Sequence, residues 1–185
     1  MDDQIAISRL KQGDLNSLET LVNRYQVQAV HAAYLILYDR ALAEDVAQAA
    51  FVKVAERIYQ FDERRPFAPW FFRIVVNDAL KIAQKQKRNV SLEKHLDEPA
   101  VQLAEWPIDS GPQPEQLLEL KETSQNILNA IQALPPEQRA VIVMRYFLEM
   151  SEADMSEKTD RPLSTIKWWL RDARKRLSDL IDTSR

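Results

Sequence analysis

The sequence predicts an all-α chain of two small helical domains joined by a linker, the C-terminal one a helix-turn-helix. Three observations carry this expectation. Apolar residues recur near every 3.6 positions in almost every segment, and no convincing alternating strand interrupts them. Pro99, Pro107, Gly111, Pro112 and Pro114 break the middle of the chain, where no long apolar face survives. A short helical segment, a turn at Thr159, Asp160 and Arg161, and a longer basic segment close the chain. The expected domains cover residues 1–90 and 115–185, with an acidic, proline-containing linker at 91–114.

Taken in order, Ile5–Gln12 reads as a short helix closed by Gly13. Asp14 is placed to cap a longer one, whose broad apolar face runs from Leu18 through Tyr25 and Ala29 to Ile36. Tyr38, Asp39 and Arg40 mark a break. A third helix covers about Ala41–Gln60, with Val46, Ala50, Phe51, Val54 and Ile58 as its inner stripe. Phe61–Pro69 then reads as a loop with four charges and two prolines, and Trp70–Arg88 as a helix with Pro69 at its start. The linker carries Glu93, Asp97, Glu98, Glu105 and Asp109, and an unusual Trp106. Beyond it, Leu117, Leu118, Leu120, Ile127, Leu128, Ile131 and Leu134 mark a helix ended by Pro135. Pro136 opens a helix to Leu148. Ser151 and Asp154 form a capping box for Glu152–Lys158, and Pro162 opens a last helix to about Asp182.

Composition narrows the function. The net charge of −3 means that any nucleic-acid surface is local. With no cysteine, disulfides and thiolate metal sites are excluded. Two glycines, Gly13 and Gly111, rule out a glycine-rich phosphate loop. His31 and His95 are far apart, and no nucleophile–base pair or metal cluster is visible. The reading is therefore of a non-enzyme without a cofactor. No apolar run approaches the roughly 20 residues of a membrane span, and the polar N-terminus does not read as a signal peptide. A cytoplasmic chain is expected.

Three surfaces carry candidate function. The 61–88 stretch joins Arg65, Phe67 and Trp70 to a helix bearing Arg73, Asn77, Lys81, Lys85 and Arg88. Rings stack on bases and cations track phosphates, which suits a splayed single strand; a core helix with a solvated face has the same pattern. In the last helix, Ile166, Leu170, Ala173 and Leu177 make the buried face, leaving Ser164, Thr165, Lys167, Trp168, Arg171, Arg174 and Lys175 outward. Early residues of such a helix meet base edges and later ones grip phosphates; a charged amphipathic helix without DNA is the alternative. On the third helix, Glu44, Asp45 and Gln48 flank an apolar face with Phe51. Such a flank pairs with arginines of a partner helix, or is merely a solvated patch.

Four motifs in order resemble a known family. Phe61, Asp62, Arg65, Phe67, Trp70, Arg73, Ile74 and Asn77 look like the promoter-melting segment of a bacterial sigma-70 family sigma factor, in its extracytoplasmic-function (ECF) group. Ala43 to Val46, Gln48 and Phe51 are similar to its contact with the polymerase clamp. Leu134 to Arg139 with Val141, Arg145, Tyr146 and Phe147, then Pro162, Ser164 to Trp168 and Ala173 to Leu177, resemble its second domain. Gly13, Asp14, Arg24 and Tyr25 also fall in the family's order.

The resemblance implies a protein that binds core RNA polymerase through Glu44, Asp45, Gln48 and Phe51. It implies that Arg65, Phe67, Trp70, Arg73, Asn77, Lys81, Lys85 and Arg88 capture the melted minus-ten strand of promoter DNA. Ser164, Thr165, Lys167, Trp168 and Arg171 would read the duplex minus-thirty-five element, with Arg174 and Lys175 on phosphates. An anti-sigma factor is an expected partner. The chain departs from the family at Ala49, Glu149, Met155, Ser156, Thr159, Ser164, Trp169 and Asp172. Asp172 is expected to weaken DNA contact unless it pairs with Arg171, Lys175 or Arg176. A stand-alone helix-turn-helix regulator and a sigma-like adaptor that binds protein only remain as alternatives.

Overall fold

The computed structural model describes residues 3–92 and 125–183, and every regular element among them is helical. The expected linker from residue 93 onward, its Trp106, and the helix start at Glu115 lie outside the described residues. Helix α1, Asp3–Lys11, buries Ala6, Ile7 and Leu10. Gly13 then takes φ +92°, where a side chain would be strained. The Asp14 carboxylate accepts the Asn16 amide (3.1 Å), and a 3₁₀ turn at Leu15–Ser17 leads into α2, Leu18–Leu37. Asp14 thus caps as expected, with one tight turn before the long helix.

Left-handed Tyr38 ends α2. Asp39 starts α3, Arg40–Arg57, by accepting the Leu42 amide at 3.0 Å. A 3₁₀ turn at Ile58–Gln60 and a loop at 61–66 precede α4, Phe67–Leu92. That helix begins three residues earlier than the proline suggested. Pro69 lies inside its first turn, where the missing N–H removes no helical bond. Helices α2, α3 and α4 pack together around fully buried Leu21, Ile36, Val54, Phe71 and Val75. Lys53 on α3 pairs with Asp78 on α4 at 2.6 Å.

In the second unit a helix at 125–132, α5, precedes α6, Pro136–Ile142, with Pro136 in its first position. The chain then widens into a π-helical turn, Val143–Phe147. Helix α7, Glu152–Thr159, has both bonds of the expected capping box between Ser151 and Asp154. Left-handed Asp160 makes the turn to α8, Leu163–Thr183. Pro162 stands just before that helix, its carbonyl accepting the amides of Thr165 and Ile166. Leu134, Val141, Met144, Met155, Ile166 and Leu170 form the core. The two units meet: α4 lies against α6 and α7, and α2 against α6 and the π-helical turn.

Candidate functional site

The loop at 61–66 is fixed from inside. Phe61 packs on Phe67 (centroids 5.7 Å) and Trp70 (5.1 Å), and Phe67 lies almost parallel to Phe71 at 5.8 Å. Phe71 in turn stacks on Phe51 at 4.7 Å. Phe67, expected outward to meet a base, is only 4% exposed, which corrects that reading. The helix start at Phe67 aims its ring at the α2 and α4 apolar faces, where about 25 cal/mol per Å² of buried area holds it. Trp70 is half-buried. Lys11 reaches across to the Phe61 carbonyl at 2.8 Å and to Glu63. At the tip, the Arg64 side chain hydrogen-bonds Asp62 and holds its carboxyl down at about 2. What the loop presents outward is charge, with Arg65 exposed.

Helix α4 continues that charge. Arg73, Lys81, Lys85 and Arg88 are exposed, and Asn77 is half-buried between them. At 1.5 Å per residue, Arg73 and Lys81 lie about 12 Å apart along the axis, Lys81 and Lys85 about 6 Å, and Lys85 and Arg88 about 4.5 Å. A row of cations at these spacings suits a phosphate backbone. The buried side of the same helix carries Phe71, Phe72, Val75, Val76 and Ala79, so the helix is both scaffold and surface.

On α3, Glu44, Asp45 and Gln48 are exposed, while Phe51 is buried. Glu44 accepts a hydrogen bond from Arg40 at 2.8 Å. Glu44, Gln48 and Phe51 border a groove of about 470 Å³ with Val22, Gln26 and Val30 of α2. Buried Phe51 and exposed Glu44 both line the groove, whereas Asp45 is exposed outside its lining.

On α8, Ile166, Leu170 and Ala173 are buried, and Ser164, Lys167, Trp168, Arg171, Arg174 and Lys175 are exposed, with Thr165 half-buried. Trp168 keeps 50% of its surface in solvent, an unusual cost for an indole with no contact to make. Two departures from the family turn inward. Trp169 packs against the core. Asp172 accepts Gln138 Nε2 at 2.5 Å and Arg176 Nε at 3.1 Å, fulfilling the pairing expected to blunt its charge. Met155 is fully buried in the helix-turn-helix core, and Thr159 bonds back to its carbonyl.

Sequence reasoning missed the contacts between the units. Arg139 Nη1 donates to the Ile36 carbonyl at 2.7 Å, and its guanidinium lies 5.2 Å from the Tyr38 ring centroid. Tyr38 Oη donates to the Leu128 carbonyl at 2.7 Å. Burial lowers the Arg139 pKa and raises that of Tyr38. Gln84 donates to Glu137 at 2.8 Å, and Arg65 pairs with Glu157 at 2.9 Å. The available signal was the acid content of α7, Glu152, Asp154 and Glu157, set against Arg65 of the loop and Arg73 of α4.

An acidic helix face, an aromatic-backed basic ridge and a basic helix-turn-helix follow one another along the chain. The sigma-70 region 2 model matches residues 21–89 and the sigma-70 region 4 model residues 124–177. The ECF RNA polymerase sigma factor SigW of Bacillus subtilis is 30% identical over 179 residues, covering 94% of this chain and 96% of its own. The ECF sigma-E factor of Haemophilus influenzae is 29% identical over 186 residues, covering 98% and 96%. The chain belongs to the ECF family of RNA polymerase sigma factors. The fold is shared with the sigma factor RpoE of Bartonella quintana, solved with the anti-sigma factor NepR (TM-score 0.68, 20% identity, 92% of this chain and 100% of that one). It is shared too with CnrH, solved with the cytosolic domain of CnrY (TM-score 0.65, 22% identity, 99% of both).

Proposed function

We propose that this sigma factor docks on core RNA polymerase through Glu44, Asp45 and Gln48, with Phe51 supporting the groove beneath them. Arg65, Trp70, Arg73, Asn77, Lys81, Lys85 and Arg88 then hold the melted minus-ten strand, while Phe67 keeps the loop in shape from the core. Extruding a base costs a few kcal/mol, and stacking at about 1–3 kcal/mol per base with phosphate contacts offsets it. Ser164, Thr165, Lys167, Trp168 and Arg171 read the duplex minus-thirty-five element, and Arg174 and Lys175 grip phosphates. The first unit covers residues 1–90 and the second, with the helix-turn-helix, residues 115–185. The observation that carries this reading is the match of both sigma regions, in order, to segments whose basic ridges are exposed.

The function needs no catalytic residue and no cofactor. It sets the chain in the cytoplasm, where polymerase and chromosome are; no described helix is long and apolar enough to cross a membrane. An anti-sigma factor is the expected regulator, as in the RpoE–NepR complex. Run-off transcription tests the reading: chain and core polymerase on a fragmented genomic library, with core alone as control. Discrete chain-dependent start sites are the expected result, and their alignment gives both promoter elements. Absence of such starts together with no binding to core overturns it.

A further inference from the structure

We propose that Lys11 of α1 is a positioning residue for strand capture: it fixes the 61–66 loop by its backbone and matches the charge of Glu63. The inference rests on the sigma reading above. Lys11 Nζ donates to the Phe61 carbonyl at 2.8 Å, across 50 residues of sequence, and meets Glu63 Oε1 at 2.8 Å. One ammonium, with three donors, thus holds two parts of the loop at once. Its side chain is only 24% exposed, so it is packed at the loop rather than extended into solvent. The far end of α1 is tied down as well. Asp3 accepts hydrogen bonds from Arg24 Nη1 and Tyr25 Oη of α2. The Tyr25 ring lies 5.4 Å from that of Phe67, where α4 begins. Helix α1 therefore braces the loop at both ends, at Phe61 through Lys11 and at Phe67 through Tyr25. Between the braces, Ile7 shares with Phe61, Pro66 and Phe67 the lining of a cleft of about 300 Å³.

Both contacts bear on Arg65. The loop carries two carboxylates beside the cations that hold phosphate. Asp62 is matched within the loop by Arg64 at 2.9 Å, and Glu63 from outside it by Lys11. Without Lys11, Glu63 stands as an uncompensated negative charge two residues from Arg65. Two residues of chain span at most about 7 Å, inside the Debye length of about 8 Å at physiological ionic strength. Such a charge repels the strand that Arg65 attracts. The carbonyl contact acts on shape. The Phe61 amide bonds the Ile58 carbonyl at 3.0 Å, and the Arg65 amide bonds the Asp62 carbonyl at 3.0 Å. Lys11 grips the peptide between these two turns, and so sets how the turn bearing Arg65 hinges on the one that follows α3. The core contacts of α1 are Ala6, Ile7 and Leu10, so loss of Lys11 is a loss to the loop and not to the fold.

A double-mutant cycle tests this. Lys11→Met keeps the stem and removes both contacts, Lys11→Arg keeps a donor for each, and Glu63→Gln removes the charge to be matched. Each full-length variant is assembled with core polymerase. Binding to core is measured, and then binding of the holoenzyme to a fluorescent non-template minus-ten oligonucleotide from a promoter found by run-off mapping. All variants are expected to bind core like the parent. Lys11→Met should weaken oligonucleotide binding roughly fivefold or more, and Glu63→Gln should recover about twofold or more of that loss while changing the parent by less. Lys11→Arg should stay close to the parent. Equal affinity of Lys11→Met and the parent overturns the inference. So does an equal effect of Glu63→Gln in both backgrounds, which would make Lys11 a direct phosphate contact. Should Lys11→Met fail to fold, Glu63→Lys decides, because it sets a second cation against Lys11 at an exposed position. Weaker capture then supports the inference; equal or tighter capture, the result of a plain added charge, overturns it. A parent chain that neither binds core nor captures strand removes the sigma reading and the inference together, whereas a parent that does both, matched by Lys11→Met, removes the inference alone.

Discussion

Gln138 and Asp172 meet inside the second unit, Gln138 Nε2 donating to Asp172 Oδ2 at 2.5 Å, with Gln138 only 3% exposed. An acid on the basic helix α8 thus serves its own fold. Asp172→Ala leaves the buried amide donor without that acceptor, at a cost of about 1–3 kcal/mol. Asp172→Asn keeps an acceptor oxygen and is expected within about 1 kcal/mol of the parent. Urea unfolding of the full chain checks both. Neither substitution should tighten duplex binding; a clear gain in affinity from Asp172→Ala would return this carboxylate to the DNA surface.

Phe67 gives the second prediction. Its ring is shared by Tyr25, Phe61, Trp70 and Phe71. Phe67→Ala is expected to destabilise the chain by about 3–5 kcal/mol, and Phe67→Leu by far less. Loss of transcription in the alanine variant would then report unfolding. Arg65→Ala and Arg73→Ala, both at exposed positions, should remain folded and lose open-complex formation, read by permanganate reactivity of the melted strand.

The helices were legible because their ends are written in side chains: Asp14, Asp39 and Ser151 cap, and Pro136 opens. Pro69 misled, because proline fits any position of a first turn, so the start moved to Phe67 and the ring moved indoors with it. The basic faces of α4 and α8 followed from the 3.6-residue period. The contact between the units did not. Arg65 and Glu157 are both more than half exposed, and such a pair is worth about 0–1 kcal/mol. Nothing in local periodicity says which exposed charges meet across 92 residues.

Glu149 shows a departure with a physical reading. The family often has glycine there, and Glu149 takes φ +53°. A left-handed L-residue costs roughly 1–2 kcal/mol, while glycine costs roughly 0.5–1 kcal/mol in unfolded-state entropy. Glu149→Gly is expected to stabilise the chain by about 0.5–1 kcal/mol. Thermal unfolding should register a rise of a few degrees; a fall would mean that the Glu149 side chain contributes more than its backbone costs.

His31 makes stability depend on pH. Burial lowers its pKa from 6.5 to about 4, so the folded chain holds a neutral imidazole that the unfolded chain would protonate. Stability from this residue is full above pH 6.5 and is lost as pH falls toward 4. The slope is at most about 1.4 kcal/mol per pH unit. His31→Leu should flatten the urea-midpoint profile between pH 6.5 and 4.5 relative to the parent. Because His31 lies against Phe147 of the second unit, the same acidification should loosen the contact between the units, read by small-angle scattering as a larger radius of gyration.

In the proposed function, Arg171 reads bases and Lys175 grips phosphate on one helix. Both are exposed on α8, one turn apart, beyond the buried Ile166 and Leu170. Arg171 has the planar fork that meets a guanine edge with two bonds, whereas Lys175 is a point charge suited to phosphate. On a promoter found by run-off mapping, Arg171→Ala should cost about 1–3 kcal/mol and relax preference at one minus-thirty-five position. Lys175→Ala should weaken all sequences alike and reduce the salt slope of holoenzyme binding by about one. Competition with base-substituted promoters at several salt concentrations distinguishes the two. If Arg171→Ala lowers affinity uniformly, it too is a phosphate contact, and base reading passes to Ser164, Thr165, Lys167 and Trp168 at the start of the helix.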